Sequence, residues 1–397
     1  MSELTAALSS LIAARRPGWS LPRPFYTDET IFAADLENVY MRQWLYAGHV
    51  SQVQRAGDYF TFELGDESLL IIRQHDDPDG GIHALFNVCR HRGSRICTER
   101  AGHTKKLVCP YHQWVYGTDG ALLAARGMPA DFNKQNFGLK RANVRVLEGL
   151  IFVSLSASPP DFAAFANDVE SLLQPHGFPR AKICFSHTYL VHSNWKLIVE
   201  NSRECYHCHA GHPEYCSVMF PPGNMDGPAR EKQFKERMDH YANIGLASRQ
   251  VEGESHHASR YPFGKAGYVS ESLDGKPVAP LMGKLTEPDA GVLGVVLFPN
   301  FMFEACGDHA VAFRFMPVSA RVTQVQAQWF VRADATEGKD YHVGRVTDFW
   351  KTTGEQDWKL CEDNQAGVNS TRYESGPYGE EEAGVERFVK WYLKALV

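Results

Sequence analysis

The chain contains no run of about 18 apolar residues, so no segment of it reads as a membrane span. It also lacks an excess of positive charge. Lys and Arg number 41 against 47 for Asp and Glu, and the net charge of −6 gives no electrostatic reason to bind nucleic acid or an anionic membrane. The opening MSELTAALSSLIAARRPGW does not read as a secretory leader. Its apolar stretch is short and interrupted, and Arg15 and Arg16 follow it where a leader has its basic residues first. We read it as a surface or core helix. Cysteines are few and odd in number, nine in 397 residues, which argues for reduced or metal-bound thiols in a cytoplasmic protein and not for a disulfide framework. There are no internal repeats and no low-complexity tracts. No G-x-G-x-x-G follows a strand and no C-x₄-C-x₂-C run occurs, so these two redox-cofactor signatures are excluded.

What is present is an ordinary globular composition, 44% hydrophobic and 22% charged, in a chain long enough for two or three domain-sized cores. From about Asp58 to Leu155 the pattern is strand-like. GDYFTFELGDESLLIIRQ reads as two strands around a Gly-Asp turn, and LEGLIFVSLS as a buried strand. Asn87 to Gly120, between them, is turn-rich. After the Pro-rich break SASPPDF, the pattern predicts a helix over Phe162 to Leu173. Residues 220–290 are rich in Gly, Pro and polar residues and predict no regular element. GVLGVVLFPNFMFEAC, HAVAFRFMPVS and VTQVQAQWFVRA then alternate like sheet strands, and Tyr341 to Ser370 is helical in period. The expected class is α+β. A small all-β domain at 44–157 is inserted in a larger domain built from a helical segment, 1–43, and from 158–397, with an antiparallel sheet flanked by helices.

Chemistry concentrates in two places. Cys89-Arg-His91 is followed, 17 residues later, by Cys109-Pro-Tyr-His112. Each half sets one Cys and one His on a single loop. Such a Cys₂His₂ set suits a [2Fe–2S] cluster with two thiolates on one iron and two imidazoles on the other, an exchange that raises the reduction potential. A structural zinc site also uses Cys₂His₂, but classical fingers pair Cys with Cys and His with His. Gly93, Gly102 and Gly117 suit the tight turns of facing loops. Cys97 belongs to neither pair and reads as a small buried hydrophobe.

The second place is NWKLIVENSRECYHCHAGHPEY. On a helix, Glu204 and His207 share a face one turn apart. Gly211 and Pro213 mark where that helix ends, so that His212 turns back toward His207. Two histidines and a carboxylate are the facial set of a non-haem Fe(II) site that binds O₂. GEQDWKLCEDNQ offers Glu355, Asp357, Glu362 and Asp363 for the carboxylate. Cys205 and Cys208 form a C-x-x-C, the mark of a thiol redox pair or half a zinc site, but no second such pair occurs. His209 reads as a surface or supporting residue, and His240 and the His256–His257 pair stay unassigned.

Both constellations, in this order, resemble the Rieske non-haem iron oxygenase family. CRHRGSRIC to CPYHQWVY is similar to its cluster motif, and Glu204, His207 and His212 match its acid-x-x-His-x₄-His pattern. The resemblance runs from RRPGWSLPRPFYTDETIF to QAGVNSTRYESGPYG and looks closest to the quaternary-ammonium branch, with its glycine betaine monooxygenases, proline betaine (stachydrine) demethylases and carnitine and choline relatives. Most of the broad family has Asp where Glu204 stands; the branch often has Glu. His209 departs from both patterns.

The resemblance implies Cys89, His91, Cys109 and His112 on a [2Fe–2S] Rieske cluster, and His207, His212 and Asp357 on a mononuclear Fe(II), with Asp363 as the alternative carboxylate. It implies a homotrimer in which Glu204 bridges His112 of one subunit to His207 of the next for electron transfer. It further implies O₂ as cosubstrate, electrons from NAD(P)H through a separate reductase, and N-demethylation of a betaine with release of formaldehyde. Phe298, Phe301, Phe303, Phe313 and Phe315 are candidate aromatic faces for the cation, though core packing explains each singly. Aromatic-ring hydroxylation is the competing enzymatic reading. A zinc protein or a [2Fe–2S] electron carrier without catalysis is the non-enzymatic one.

Overall fold

A computed structural model describes residues 3–76, 81–220 and 228–397. The chain forms two compact units, Met1–Met41 with Asp161–Val397, and Arg42–Pro160. Among the described residues no helix is long and apolar enough to cross a membrane.

The Arg42–Pro160 unit is all β. Its seven-stranded sheet runs in the order Leu45–His49, Leu150–Ser154, Arg141–Leu147, Ile82–Phe86, Glu67–Arg73, Asp58–Leu64, Ala101–His103, and a three-stranded sheet follows from Leu107–Val108, Val115–Tyr116 and Leu122–Ala124. The hairpin expected around Gly65 and Asp66 pairs Leu64 with Glu67. A core of Leu70, Leu85, Leu107, Trp114 and Tyr116 closes around Cys89 and Cys109. Cys97 packs half-buried against this core, as a small apolar side chain. Only Gly93 of the three turn glycines takes a positive φ, 79°. Gly102 instead lies in a strand, where a Cβ would strike the Tyr59 ring.

The other unit is built on a second antiparallel sheet, ordered Ala181–Val191, Val322–Arg332, Ala310–Ser319, Phe301–Ala305, Val292–Leu297, His256–Tyr261, Val251–Glu252. The alternating segments at 291–332 are its central strands, as their period of two requires. Phe303 packs on Phe178 and Phe330, within the buried core of this unit. The helix Phe162–Leu173 forms where its pattern predicts, capped by the Asp161 side chain accepting from the Ala163 N–H. The predicted C-terminal helix spans Val343–Val368 and buries Val346, Trp350, Thr353, Trp358, Cys361 and Gln365, a stripe of helical period. Arg23 closes its C-terminal end by donating to the Val368 and Asn369 carbonyls at 3.1 and 3.0 Å.

Residues 220–290 differ from the expectation. They hold a helix, Pro228–Asn243, and the strands Val251–Glu252 and His256–Tyr261, while 221–227 lie outside the described residues. The strand His256–Tyr261 escapes hydrophobic patterning because its buried positions are His256, Ala258 and Arg260. Arg260 is satisfied by the Ala247 and Ala290 carbonyls and by His176 Nε2, and His256 by Asp168 at 2.9 Å. Polar residues are therefore buried there in pairs.

One buried charge organises this unit. Asp35, fully buried, accepts from Tyr392 Oη at 2.7 Å and Trp195 Nε1 at 3.0 Å, and pairs with the fully buried Lys196. It thereby joins the N-terminal segment, the helix Trp195–Asn201 and the helix Ala383–Leu396. Replacing Asp35 by Asn leaves the Lys196 ammonium buried without a counter-ion, and the expected loss is about 3–5 kcal/mol. Asp35→Asn with Lys196→Met is expected to recover most of it. Chemical denaturation of the two variants checks this, and equal losses in both would refute the role of the pair.

Candidate metal centres and cavity

In the Arg42–Pro160 unit two loops share one hydrogen-bond frame. The Cys89 N–H donates to the Ser94 carbonyl and the Gly93 N–H to the Cys89 carbonyl; the Cys109 N–H donates to Trp114 and the Gln113 N–H to Cys109. Each loop thus turns back four residues after its Cys, and both turning residues, Gly93 and Gln113, have positive φ. The result is two buried thiols, which interact directly, and two imidazoles nearer the surface. His91 lies flat on Trp114, centroids 4.8 Å apart, and meets the His112 ring edge-on at 4.6 Å. Burial raises the Cys109 thiol, but backbone N–H groups of Tyr111 and His112, with Cys89 and Ser94, more than offset this and lower it. His91 Nδ1 is buried with no hydrogen-bond partner. An orphaned imidazole nitrogen beside two buried thiols fits a metal cluster better than it fits a closed polar network.

In the other unit, the helix Trp195–Asn201 and the long helix Val343–Val368 bring the second set together. His207 Nε2 and His212 Nε2 lie 3.2 and 2.9 Å from the same atom, Asp357 Oδ1. Both outer nitrogens face acceptors: His207 Nδ1 is 2.5 Å from Glu204 Oε1, and His212 Nδ1 is 2.9 Å from Gln356 Oε1. These acceptors hold each proton on Nδ1 and turn the Nε2 lone pair inward, the tautomer a metal requires. Gln356 is itself fixed by donating to Glu214 at 2.9 Å. Burial lowers His207, but hydrogen bonds to Asp357 and Glu204 outweigh it and push it up to about 9. Against the same opposing burial, Asp357 and Gln356 raise His212; for Asp357, the two histidines overcome burial and hold the carboxyl low. Two nitrogens and one oxygen facing a common point are the donor set that fits a divalent iron.

The remaining candidates lie elsewhere. Asp363 is exposed and paired with Lys359, Glu362 accepts from the His192 N–H at 2.9 Å, and Glu355 is exposed. His209 is exposed and stacks on Phe220 at 5.1 Å. His240 faces Glu287 at 3.4 Å. Cys205 and Cys208 are joined in a disulfide, Cα atoms 5.0 Å apart, where free thiols were expected. Their separation of three residues brings them within bridging range, and the bond removes Cys208 as a ligand although its Sγ lies 4.0 Å from His207 Nε2.

Beside the His–His–Asp group opens a cavity of about 390 Å³. One wall is the sheet face carrying His257, Ser259, Tyr261, Gly294, Val296, Met302, Glu304, Phe313 and Phe315; the opposite wall is the helix face with Trp350, Thr353, Gly354, Asp357 and Trp358. Of the five phenylalanines singled out by sequence, Phe313 and Phe315 reach it. Phe298 packs instead on Phe388 and Trp391, and Phe303 on Phe178. Sequence reasoning missed Asn201, whose Nδ2 lies 3.3 Å from His207 Nε2, and the tryptophans, which the helical period of Trp350, Asp357 and Trp358 marks as one face. It also missed Glu304. This buried carboxylate accepts from Tyr261 Oη at 2.8 Å and lies opposite Gly294, where a Cβ would come 3.1 Å from both its oxygens.

Family models for a Rieske [2Fe-2S] domain and for the catalytic domain of a ring hydroxylating alpha subunit match residues 43–141 and 180–396. The chain belongs to the Rieske non-haem iron oxygenases. It is therefore an enzyme, with a [2Fe–2S] cluster and a mononuclear iron as cofactors, and the zinc and electron-carrier readings fall away. It is 37% identical to the glycine betaine monooxygenase oxygenase subunit of Pseudomonas aeruginosa, over 98% of this chain and 92% of the relative. The same identity holds to that of Chromohalobacter salexigens, over 98% and 89%. In fold it matches a solved quaternary ammonium Rieske monooxygenase, CntA, with a TM-score of 0.74 at 20% identity, over 96% and 97% of the two chains.

Burial and the neighbouring Glu271 raise Glu304 to about 8, against the opposing Tyr261 hydrogen bond and Arg203 charge. Unfolded, it titrates near its ordinary 4.5. Between these values the folded chain binds more protons than the unfolded one, so this site's contribution to stability falls as pH rises. Glu304→Gln, neutral throughout, is expected to raise the melting temperature relative to the native chain by a few degrees more at pH 8 than at pH 5. Thermal unfolding of the ligand-free protein at both pH values checks it; an equal shift at each would contradict a neutral Glu304.

Proposed function

We propose that the chain is the oxygenase component that oxidatively N-demethylates a betaine, glycine betaine first and proline betaine next, releasing formaldehyde. The observation that carries this reading is the cavity wall beside the His–His–Asp group. The side chains of Trp350, Trp358, Tyr215, Phe313 and Phe315 line it together with one buried carboxyl group, Glu304. A quaternary ammonium donates no hydrogen bond, so aromatic rings, with a carboxyl group that ionises once a cation lies beside it, are what recognise it, each cation–π contact contributing up to about 2 kcal/mol when desolvated. The same wall would accept an aromatic ring, but a neutral ring gives Glu304 no reason to ionise.

In this reading His207, His212 and Asp357 hold the iron, and Cys89, His91, Cys109 and His112 hold the cluster. Bound there, the two centres supply electron storage and O₂ activation. One oxygen atom of O₂ enters an N-methyl C–H bond and the other leaves as water, taking two protons from solvent and two electrons from NAD(P)H delivered by a separate reductase. The hydroxymethyl group then loses its hydroxyl proton as its C–N bond breaks, nitrogen keeps the electron pair, and formaldehyde departs. The aromatic walls exclude water, and Glu204 orients His207 through Nδ1. In a homotrimer Glu204 also serves as the electron-transfer bridge from His112 of one subunit to His207 of the next. A solved relative of the same fold is described as revealing inter-subunit electron transfer.

Purified protein with a ferredoxin-type reductase and NADH is expected to release formaldehyde from glycine betaine or proline betaine and none from benzoate. A protein holding both centres that accepts electrons yet is silent on all betaines, carnitine and choline would sink the substrate reading. His207→Ala, His212→Ala and Asp357→Ala are expected to lose iron while the cluster's visible spectrum survives. His209→Ala should keep both. Glu204→Ala should retain both metals and lose turnover by roughly 100-fold or more. Metal analysis and absorbance distinguish these outcomes, and iron loss in Glu204→Ala would make that residue a ligand.

A further inference from the structure

Arg203, next to the bridging Glu204, contributes to the cavity lining. Its guanidinium carbon stands 6.0 Å from the Phe298 ring centroid, and its Nε is buried with no hydrogen-bond partner. Other sequestered cations of this unit have partners: Lys196 has Asp35, Arg15 has Glu386, Arg237 has Asp289, and Arg260 has two carbonyls and His176. Among the described residues no carboxylate forms an ion pair with Arg203. The cavity's Glu304 is engaged by Tyr261, and the nearby Arg387 is taken by Glu252. Burial and the like charge of Arg387 outweigh the opposing influence of Glu304 and Tyr261 and lower Arg203 to about 10, which still leaves it charged at neutral pH. An unpaired, largely desolvated guanidinium is costly unless an anion completes it. It is also the side chain best shaped to hold a carboxylate by two parallel hydrogen bonds.

We propose that Arg203 anchors the carboxylate of a zwitterionic substrate, so that the cavity selects ammonio acids over simple quaternary cations. The inference rests on the betaine reading and adds the residue that receives the acid end. The cationic end then lies toward Glu304 and the aromatic rings, and the zwitterion offers each of the two side chains a partner of opposite sign.

The test measures dissociation constants of glycine betaine and of tetramethylammonium, which has the cation without the acid, by calorimetry on metal-loaded native protein, Arg203→Met and Arg203→Lys. Arg203→Met should weaken glycine betaine by roughly 10- to 100-fold. Tetramethylammonium should bind as well or better, because a repelling charge is gone. Arg203→Lys should restore part of the betaine affinity, and KM should move more than kcat. Unchanged betaine affinity in Arg203→Met overturns the anchor, as does equal weakening of both ligands in both variants. If the native protein neither binds nor releases formaldehyde from glycine betaine, proline betaine, carnitine or choline, the betaine reading fails first. If it does both and Arg203→Met does so equally well, only the anchor fails.

Discussion

The larger unit depends on a charge taken fully out of water. Asp35 receives the Lys196 ammonium, the Trp195 indole N–H and the Tyr392 hydroxyl, and all four side chains are buried. Desolvating two ions is costly, and only their attraction together with saturated hydrogen bonding offsets it. The gain is one of position. Trp195 and Lys196 begin the helix that ends at Asn201, and Asn194 caps it by accepting from the Lys196 N–H. Asn194 is held in turn by Gln365 of the long helix and by the Ala320 carbonyl. Helix Trp195–Asn201, long helix and sheet are thus locked together, and the candidate metal-binding side chains lie just beyond the short helix and mid-way along the long one.

That locking matters because three donor atoms from two distant stretches must meet within about 3 Å. His207 and His212 follow the short helix, while Asp357 sits mid-way along the long one. Each imidazole is aimed by an acceptor behind it, Glu204 or Gln356, so neither ring is free to present its other nitrogen. The helical period that carries Asp357 inward carries Trp350 and Trp358 with it. Gly354 lies between them, leaving room for the Trp358 ring 3.4 Å from where a Cβ would stand. An interior helical glycine costs about 1 kcal/mol relative to alanine, and here the space it leaves goes to the cavity wall.

Much of this is legible in the sequence. Short-range spacing marks Cys89, His91, Cys109 and His112 as one set, because two loops of like geometry need like sequences. Glu204, His207 and His212 are readable for the same reason, falling within nine residues around the short helix Cys208–Gly211. Asp357 is harder, since four acids share one helix and only packing separates it from the exposed Asp363. The cavity's far wall was hidden. His256–Tyr261 buries His256 against Asp168 and Arg260 against His176, so no hydrophobic alternation announces a strand. Glu304 stands among apolar residues of a typical strand, and nothing local distinguishes a carboxylate that faces a cavity from one that faces water. The Cys205–Cys208 bond went against the expectation of reduced thiols, which rested on cysteine number and compartment and carried no geometry.

The unpaired charges of the cavity obey a common constraint. A low-dielectric pocket penalises an ionised group that lacks a partner, and the two groups meet that penalty in different ways. Glu304 escapes it by holding its proton, one oxygen accepting from Tyr261 Oη, until a cation gives it reason to ionise. Arg203 has no such escape near neutral pH, because even its lowered value of about 10 leaves it charged. In the proposed arrangement a ligand bearing both signs gives Arg203 its counter-ion and makes ionisation of Glu304 favourable. A ligand bearing one sign leaves one end unmet. Selectivity between such ligands then follows from where the protein withholds partners, and the aromatic walls, indifferent to the acid end, set only the fit of the cation.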